Sequence, residues 1–332
     1  MTAPALRPAR ATHGNATIWV ALITVYLVWG STYLAIRVVV ETTPPLLAMG
    51  GRFLAAGILL ATFLLVRRGP RALAVTRKEL YGAGLVGLLL LLGGNGGVAV
   101  AEQSVPSGIT ALLVAATPLW LVLLRRVARE RVARLTLAGT GLGFVGIAVL
   151  VLPGGLTAPD GSPVRVGGLL IVVGAAAAWA VGSFASSRIA MPRDAFVATT
   201  WEMLLGGAGL TLSGAVSGEF ADFHPADMAG PAWAWLAYLV VVGSLVAFSA
   251  YVWLLGNAPL SLTATYAYVN PVVAVLLGAL VLSEPLTAAV LVGGAVVVLG
   301  VGLVVTSERP RRATPREPAA VGTGAEVVDT RA

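Results

Sequence analysis

The sequence predicts an all-α membrane protein with ten transmembrane helices, arranged as two inverted repeats of five helices each. Of the 332 residues, 58% are hydrophobic and only 11% are charged, whereas a soluble domain carries roughly 25% charged residues. Apolar runs recur along the whole chain, and at about 20 residues each is long enough to cross a hydrocarbon core about 30 Å thick. Because the apolar residues form continuous blocks and do not alternate with polar ones, the runs indicate helices.

Ten apolar segments divide the chain into two halves. They run over residues 18–38, 45–66, 80–100, 107–124, 135–152, 166–187, 195–216, 233–255, 261–282 and 287–306. The predicted domains are a cytoplasmic tail (1–17), a first repeat (18–152), an outer linker (153–165), a second repeat (166–306) and a disordered cytoplasmic tail (307–332). Each half therefore holds five segments.

Arginines predict the orientation of the chain. The formal charge of +7 comes mainly from arginines in the tails and in the loops after the second, fourth, sixth and tenth segments. The other loops carry mostly acidic residues. This distribution follows the positive-inside rule and places both termini in the cytoplasm. Lys78 is the only lysine among 22 basic residues, which indicates GC-rich bacterial coding, so a bacterial inner membrane is the expected location. The distribution of arginines also removes the need for a nucleic-acid partner to explain the charge.

The two halves carry the same residue, or in one case a charged residue of opposite sign, at matching places. The matched pairs are Trp29 with Trp179, Arg52 with Glu202, Pro118 with Pro271, Glu130 with Glu284, Gly139 with Gly293, and Gly146 with Gly300. Since each half has an odd number of segments, the second copy must lie inverted in the membrane. Inverted repeats are a common way for secondary transporters to build two similar states around one central site.

Four strings carry a resemblance to a known family. They are WGSTYLAIR (29–37), PPLLAMGGRFLAAG (44–57), AEQSVPSGITALLVAATPLW (101–120) and TYAYVNPVVAVLLG (265–278). Together they resemble the EamA branch of the drug/metabolite transporter superfamily, and most closely its YedA-like inner-membrane members. The resemblance implies two inverted five-helix repeats that export or exchange small metabolites. It does not imply a particular substrate, because the superfamily handles many.

Three charged residues fall inside or at the end of apolar segments, where a charge costs at least ~2.5 kcal/mol at mid-membrane. Arg52 and Glu202 are expected to face a central cavity, where Arg52 would hold a carboxylate and Glu202 an amine or a proton; the alternative is that each only fixes packing. Their depths differ, which argues against direct pairing. Glu102, followed by Gln103, could pair with Arg52 at an outer gate or be an ordinary interfacial carboxylate.

Two prolines and two asparagines mark predicted irregular helices. Pro118 and Pro271 are expected to be flexing or kink points, because proline removes a backbone donor and frees a carbonyl one turn earlier. Asn270 would satisfy such freed groups or bind solute. Asn95, between glycines, would bind solute or hydrogen-bond a neighbouring helix.

Aromatic side chains within the apolar segments predict a pocket. Trp29, Tyr33, Trp179, Tyr251 and Tyr266 lie away from the interfacial belt where such residues usually collect. Their polar groups need partners, which a wet cavity would supply. With Ser183 in the sixth segment, they form the predicted lining, although any one of the aromatic residues alone is better explained as core.

Several function classes are excluded or left open by the sequence. The chain has no cysteine and only two histidines, and no motif for a nucleophile, a metal or ATP, so we expect no enzyme, no metal and no cofactor. The GxGxxG string at 141–146 lies inside a membrane segment and is explained by helix packing. A secondary transporter for a small zwitterionic or amphipathic metabolite, such as an amino acid, is predicted. A channel-like facilitator or a lipid flippase remains the alternative, and protons are an open coupling partner.

Overall fold

A computed structural model describes residues 15–151, 164–224, 228, 230–258 and 265–307. Every secondary-structure element in these residues is a helix, which confirms the predicted all-α class. The predicted tails and most of the linker lie outside the described residues. The helices of the first half are α1 (Asn15–Val40), α2 (Pro45–Arg68), α3 (Arg77–Gly87), the π-helix π1 (Leu88–Gly96), α4 (Gly97–Glu102), α5 (Ser107–Val114), α6 (Thr117–Val127) and α7 (Arg134–Val151).

The second half repeats this order. Its helices are α8 (Val166–Ser186), α9 (Ala195–Val216), the short α10 (Glu219–Asp222), α11 (Gly230–Tyr238), the π-helix π2 (Leu239–Val246), α12 (Ala247–Asn257), α13 (Tyr266–Leu282) and α14 (Ala288–Ser307). Within the described residues, eight helical stretches are long and apolar enough to cross a membrane, and α7 and α13 contain shorter apolar helices. The count of ten membrane helices therefore stays a prediction.

The two prolines shape their helices differently. Pro118 lies in the first turn of α6, and the turn at residues 115–116 separates α6 from α5, so the predicted fourth segment is interrupted rather than gently kinked. The missing proline donor leaves the Val114 carbonyl free, and the Thr117 hydroxyl donates to it at 2.7 Å. Pro271 lies inside α13.

A π-helix lies at the same place in each half. Asn95 Nδ2 donates to the Leu90 carbonyl at 3.4 Å in π1, and Ser244 Oγ donates to the Leu239 carbonyl at 2.9 Å in π2. Both side chains therefore reach the carbonyl five residues earlier. Short π-helical turns are rare and frequently lie at functional sites. Asn95 thus has a backbone partner within its own helix and not on a neighbouring one.

Helices α2 and α9 pack antiparallel through glycines. A Cβ added at Gly57 would lie 3.0 Å from Leu204 Cδ2, and one at Gly207 would lie 2.9 Å from the Leu54 nitrogen. Position 57 plus 150 is 207, and position 204 minus 150 is 54, so exchanging the two halves turns the first contact into the second. A two-fold relation between the halves therefore passes through the centre of this helix pair, as an inverted repeat requires.

Helices α7 and α14 obey the same relation, at even closer range. An added Cβ at Gly146 would lie 2.7 Å from the Val297 nitrogen, and one at Gly300 would lie 2.5 Å from the Gly143 nitrogen. Position 146 plus 154 is 300, and position 297 minus 154 is 143, so exchanging the two halves also turns one of these contacts into the other. Gly143 and Gly146 of the GxGxxG string thus serve close helix packing, in which small residues let two backbones touch, whereas nothing lies within 4 Å of a Cβ added at Gly141.

Candidate functional site

Three aromatic rings from both halves of the chain meet at one place. The ring of Trp29 on α1 lies 5.1 Å from that of Tyr251 on α12 and 5.2 Å from that of Tyr266 on α13, and the two tyrosine rings are 5.6 Å apart. Centroid distances in this range, with tilted or edge-to-face rings, are favourable for aromatic pairs. We call Trp29, Tyr251 and Tyr266 the aromatic cluster. The sequence placed these three side chains in one pocket lining, and the structure brings them together.

The other predicted lining residues lie beside or away from this cluster. Trp179 packs against π1, where a Cβ added at Gly94 would lie 2.8 Å from Trp179 Cε3. Tyr33 follows Trp29 by four residues on α1 and packs against the buried core formed largely by α1 and α2, with its phenol within electrostatic range of both Tyr266 and Glu102. Ser183 is half-buried, and its carbonyl accepts a hydrogen bond from Ser186. No ring pair among the described residues joins Trp179 or Tyr33 to the aromatic cluster.

Arg52 is buried beside π2 and has no carboxylate partner. Its side chain is only 5% exposed, and its Nε donates to Ser244 Oγ at 3.1 Å. The guanidinium also lies over the Phe53 ring, at 4.6 Å from its centroid. No ion pair of the described residues includes Arg52. A buried guanidinium held by neutral groups leaves an unmatched positive charge, which an anion could match.

Gly243 connects Arg52 to the aromatic cluster. Its carbonyl accepts a hydrogen bond from Trp29 Nε1 at 3.3 Å, and a Cβ added at Gly243 would lie 3.5 Å from Arg52 Nη2. The same residue of π2 therefore touches both. This arrangement places a cation next to an aromatic surface within one region of the protein.

Glu202 lies apart from Arg52, as their predicted depths required. The Glu202 backbone packs against α3, with its carbonyl 2.5 Å from a Cβ added at Gly87. In the antiparallel register of α2 and α9, Gly57 is level with Leu204 and Gly50 with Thr211. Arg52 and Glu202 are therefore about seven residues apart along the helix axes, or about 10 Å at 1.5 Å per residue.

The structure places Glu102 in neither of the two surroundings predicted for it. It is fully buried, and neither carboxylate oxygen has a hydrogen-bond partner, so it neither pairs with Arg52 nor lies at the interface as an ordinary exposed carboxylate. Its backbone carbonyl instead accepts a hydrogen bond from Arg37 Nη1. Arg37 also forms an ion pair with Glu41, four residues later, at 3.6 Å. Gln103, next in the chain, is exposed.

Asn270 lies where α13 touches α1. Its backbone carbonyl would be 3.1 Å from a Cβ added at Gly30, and its side chain is buried with Oδ1 lacking a partner. The side-chain oxygen of Asn270 therefore accepts no hydrogen bond from its own helix. An unpaired acceptor in a buried place is costly and is a candidate contact for a ligand donor.

Charged residues at the arginine-rich ends of the helices form a separate network. Arg68 pairs with Asp194 at 2.6 Å, and Glu130 pairs with Arg125 at 2.8 Å and with Arg188. The hydrogen bond from Arg125, together with the charge of Arg188, holds the pKa of Glu130 below its usual range. Asp194 also caps α9 by accepting from the Phe196 and Val197 nitrogens. This network fixes the helix ends and contacts neither Arg52 nor the aromatic cluster.

Metal chemistry has no support in the described part of the chain. No group of three or more histidine, cysteine, aspartate or glutamate side chains there could hold a metal ion.

Comparison with known proteins places the chain in a family. The EamA-like transporter family matches residues 16–152 and again residues 166–306. The uncharacterized inner membrane transporter YedA of Escherichia coli (strain K12) is 43% identical over 259 residues, which are 78% of this chain and 80% of YedA. A probable amino-acid metabolite efflux pump of Salmonella typhimurium is 27% identical over 295 residues, 87% of this chain and 94% of the pump.

A solved crystal structure supports the fold. It has a TM-score of 0.58 at 20% identity and covers 87% of this chain and 96% of its own. The family and these relatives are transporters and not enzymes. With two matches that together span most of its length, the chain belongs to the EamA-like transporter family.

Proposed function

We propose that the protein is a secondary transporter that exports a small amphipathic metabolite bearing a carboxylate, such as an amino acid, by alternating access. Ten membrane helices would cross a bacterial inner membrane, with both termini cytoplasmic. The observation that carries this proposal is the junction at Gly243, where the uncompensated charge of Arg52 lies beside the aromatic cluster. Trp179, Tyr33, Ser183 and Asn95 are then supporting residues and not first contacts.

The chemistry of this junction selects a solute with two parts. A carboxylate would pair with the guanidinium of Arg52, since charge-assisted hydrogen bonds are roughly twice as strong as neutral ones. An apolar or cationic part would lie against Trp29, Tyr251 and Tyr266, and an N–H of the solute would match Asn270 Oδ1. A polyanion would need several cations, and among the described residues Arg52 is the one cation placed beside the aromatic cluster. The name of the Salmonella relative, an amino-acid metabolite efflux pump, agrees with this class.

Carboxylate recognition can be tested directly by ligand-induced stabilisation. The purified protein would be heated with amphipathic amino acids and, as matched controls, with their amides, which keep the side chain but lack the negative charge. We expect the acids to raise the melting temperature in a saturable way, because a ligand that binds only the folded state stabilises it, and the amides to leave it unchanged. A nucleotide or sugar phosphate as the tightest ligand would overturn the proposal.

Glu102 is the better placed of the two candidate proton carriers. An ionised carboxylate without solvent or hydrogen-bond partners costs many kcal/mol, and Glu102 has neither. A bound proton would remove this cost. Glu202 is only half-buried, so its carboxyl is less completely enclosed by protein than that of Glu102. We therefore propose that Glu102 is protonated in this conformation and releases its proton when water reaches it.

Glutamine substitution at both positions tests the coupling. We expect Glu102→Gln to fold normally and to transport with no response to an imposed pH gradient, because glutamine mimics the protonated carboxyl permanently. Glu202→Gln is the matched control and should retain the response. The measurement is solute flux from proteoliposomes with and without the gradient. Loss of the response in Glu202→Gln alone would assign coupling to Glu202, and no response in the unmodified protein would indicate facilitated diffusion.

A further inference from the structure

A strained residue precedes a glutamate at matching places in the two halves. Arg129 and Ser283 have φ values of 60° and 55°, and among the described residues they are the non-glycine residues with positive φ. Glu130 and Glu284 follow them directly. The left-handed conformation is unfavourable for a non-glycine residue, and such outliers cluster where the strain serves a function. Both copies therefore hold a carboxylate in a fixed direction just beyond the end of a helix.

In the second half, the carboxylate of Glu284 reaches across to the first half. Its Oε1 accepts from the Ser107 nitrogen at 2.6 Å and its Oε2 from the Gly108 nitrogen at 2.9 Å. These are free donors at the start of α5, where the helix dipole also favours a negative charge. Glu284 thus ties the end of α13 to the beginning of α5.

The surroundings are shaped for this contact. A Cβ at Gly278 would collide with the Glu284 carboxylate, and one at Gly108 would lie 3.1 Å from the Val275 Cα atom. The side chain of Glu284 is 8% exposed. Pro106, Ile109 and Leu286 line a narrow recess beside it. With little water available to compete, the two hydrogen bonds are worth more than they would be at the surface.

In the first half, the matching carboxylate is engaged differently. Glu130 forms ion pairs with Arg125 and Arg188, and its side chain is 36% exposed. The end of α6 and the loop after it carry Arg125 and Arg129, whereas residues 278–287 carry no arginine, so the two carboxylates have different partners within reach. One copy bridges two helices through backbone donors, and the other is held by arginines.

We propose that Glu284 is the latch of the outer gate: it holds α5 and α13 together, and it must leave the Ser107 and Gly108 nitrogens when the outer side opens. This proposal rests on the alternating-access function proposed above. The titratable side chain of Glu102 is within electrostatic range of Glu284, and Arg37 binds the Glu102 carbonyl. The latch therefore lies next to the proposed proton carrier.

Because the natural chain has no cysteine, a single introduced cysteine can report gate opening. Ala111 is 1% exposed and follows Gly108 by three residues, so it lies on the same face of α5. In an Ala111→Cys background, we expect Glu284→Gln to raise labelling by a membrane-impermeant maleimide about tenfold, the size of effect given by loss of a charged hydrogen bond. The increase should occur in right-side-out vesicles and not in inverted ones.

Two further variants make the test decisive. Glu130→Gln changes the matching carboxylate and should not raise labelling from the outer side. Ser107→Pro removes one of the two donors, and proline is tolerated at the first position of a helix; α2 begins with the same Pro–Pro arrangement at Pro44 and Pro45. We expect this variant to raise labelling as well, which decides the matter even if Glu284→Gln fails to fold.

The latch proposal would be overturned if Glu284→Gln and Ser107→Pro both left the labelling unchanged while their melting temperatures equalled that of the Ala111→Cys parent. Labelling needs no substrate, so this outcome is independent of the proposed transport. Failure of the proposed function would show instead as absence of selective solute flux, with the labelling difference intact.

Discussion

Replacement of Gly300 by alanine is expected to lower the free energy of unfolding by about 2–3 kcal/mol or to prevent folding, as overpacking of a close interface does. The added Cβ would lie 2.5 Å from the Gly143 nitrogen, 2.6 Å from its Cα and 2.8 Å from the Gly139 carbonyl oxygen. All three are backbone atoms of α7, which cannot rotate away as a side chain would. Helices α7 and α14 must then separate along their length.

Gly302→Ala is the matched control, since nothing lies within 4 Å of a Cβ added there. Both substitutions are on α14, and alanine favours a helix over glycine by about 1 kcal/mol, so the control should be neutral or slightly stabilising. The measurement is denaturant unfolding in detergent, followed by circular dichroism. Equal stability of the two variants would show that α7 and α14 are not in backbone contact.

Replacement of Arg52 by methionine is expected to reduce transport of a carboxylate-bearing solute by about 10- to 100-fold, the range given by a charge-assisted hydrogen bond of about 1.5–3 kcal/mol. Methionine keeps an unbranched apolar stem and removes the charge. The fold should persist, because Arg52 is held by Ser244 Oγ, Met49 Sδ and the Phe53 ring and by no carboxylate of the described residues. Flux of the solute amide should change far less than flux of the acid.

Two other arginine variants separate charge from position. Arg52→Lys keeps the positive charge but loses the planar fork that binds carboxylates in a bidentate manner, so intermediate flux is expected. Arg68→Met removes an arginine that is half-exposed and paired with Asp194, and it should leave flux unchanged. If Arg52→Met transported the acid as fast as the parent while folding normally, Arg52 would have only a packing role.

The general architecture could be predicted from the sequence because length and hydrophobicity determine it. Apolar runs predict helices, and the matched glycines at 139, 146, 293 and 300 lie at the close contacts of α7 and α14. The π-helices could not be predicted, since a change in backbone hydrogen bonding leaves no distinct hydrophobic pattern. The break before α6 could have been recognised, because Pro118 leaves the Val114 carbonyl without its backbone donor and the hydroxyl of the neighbouring Thr117 can donate to it instead.

The sequence could predict which residues belong to the candidate site, but not which groups they contact. Intramembrane charge singled out Arg52, and aromatic residues away from the interface singled out Trp29, Tyr251 and Tyr266. The structure was needed to show that Gly243 joins them, because that contact depends on helix register. The spacing of Arg37 and Glu41 indicates only a local ion pair, and the fold is needed to show that Arg37 also reaches the Glu102 carbonyl.

The role of Glu284 was likewise hidden in the sequence. Its match to Glu130 marked the position, but nothing local indicates that a carboxylate will reach the start of α5, more than 170 residues earlier in the chain. Contacts of this kind depend on how the two halves are placed, and a repeat seen in sequence does not give that placement.

The most direct test of the central claim is efflux from proteoliposomes preloaded with a mixed metabolite pool, measured by mass spectrometry with and without an inward proton gradient. Our account predicts saturable loss of a few amphipathic carboxylates, and slower loss of the same compounds from Arg52→Met proteoliposomes. Loss that does not saturate would indicate a channel-like facilitator. No selective loss in either condition, from protein shown to be folded, would contradict the claim that this protein transports a small metabolite.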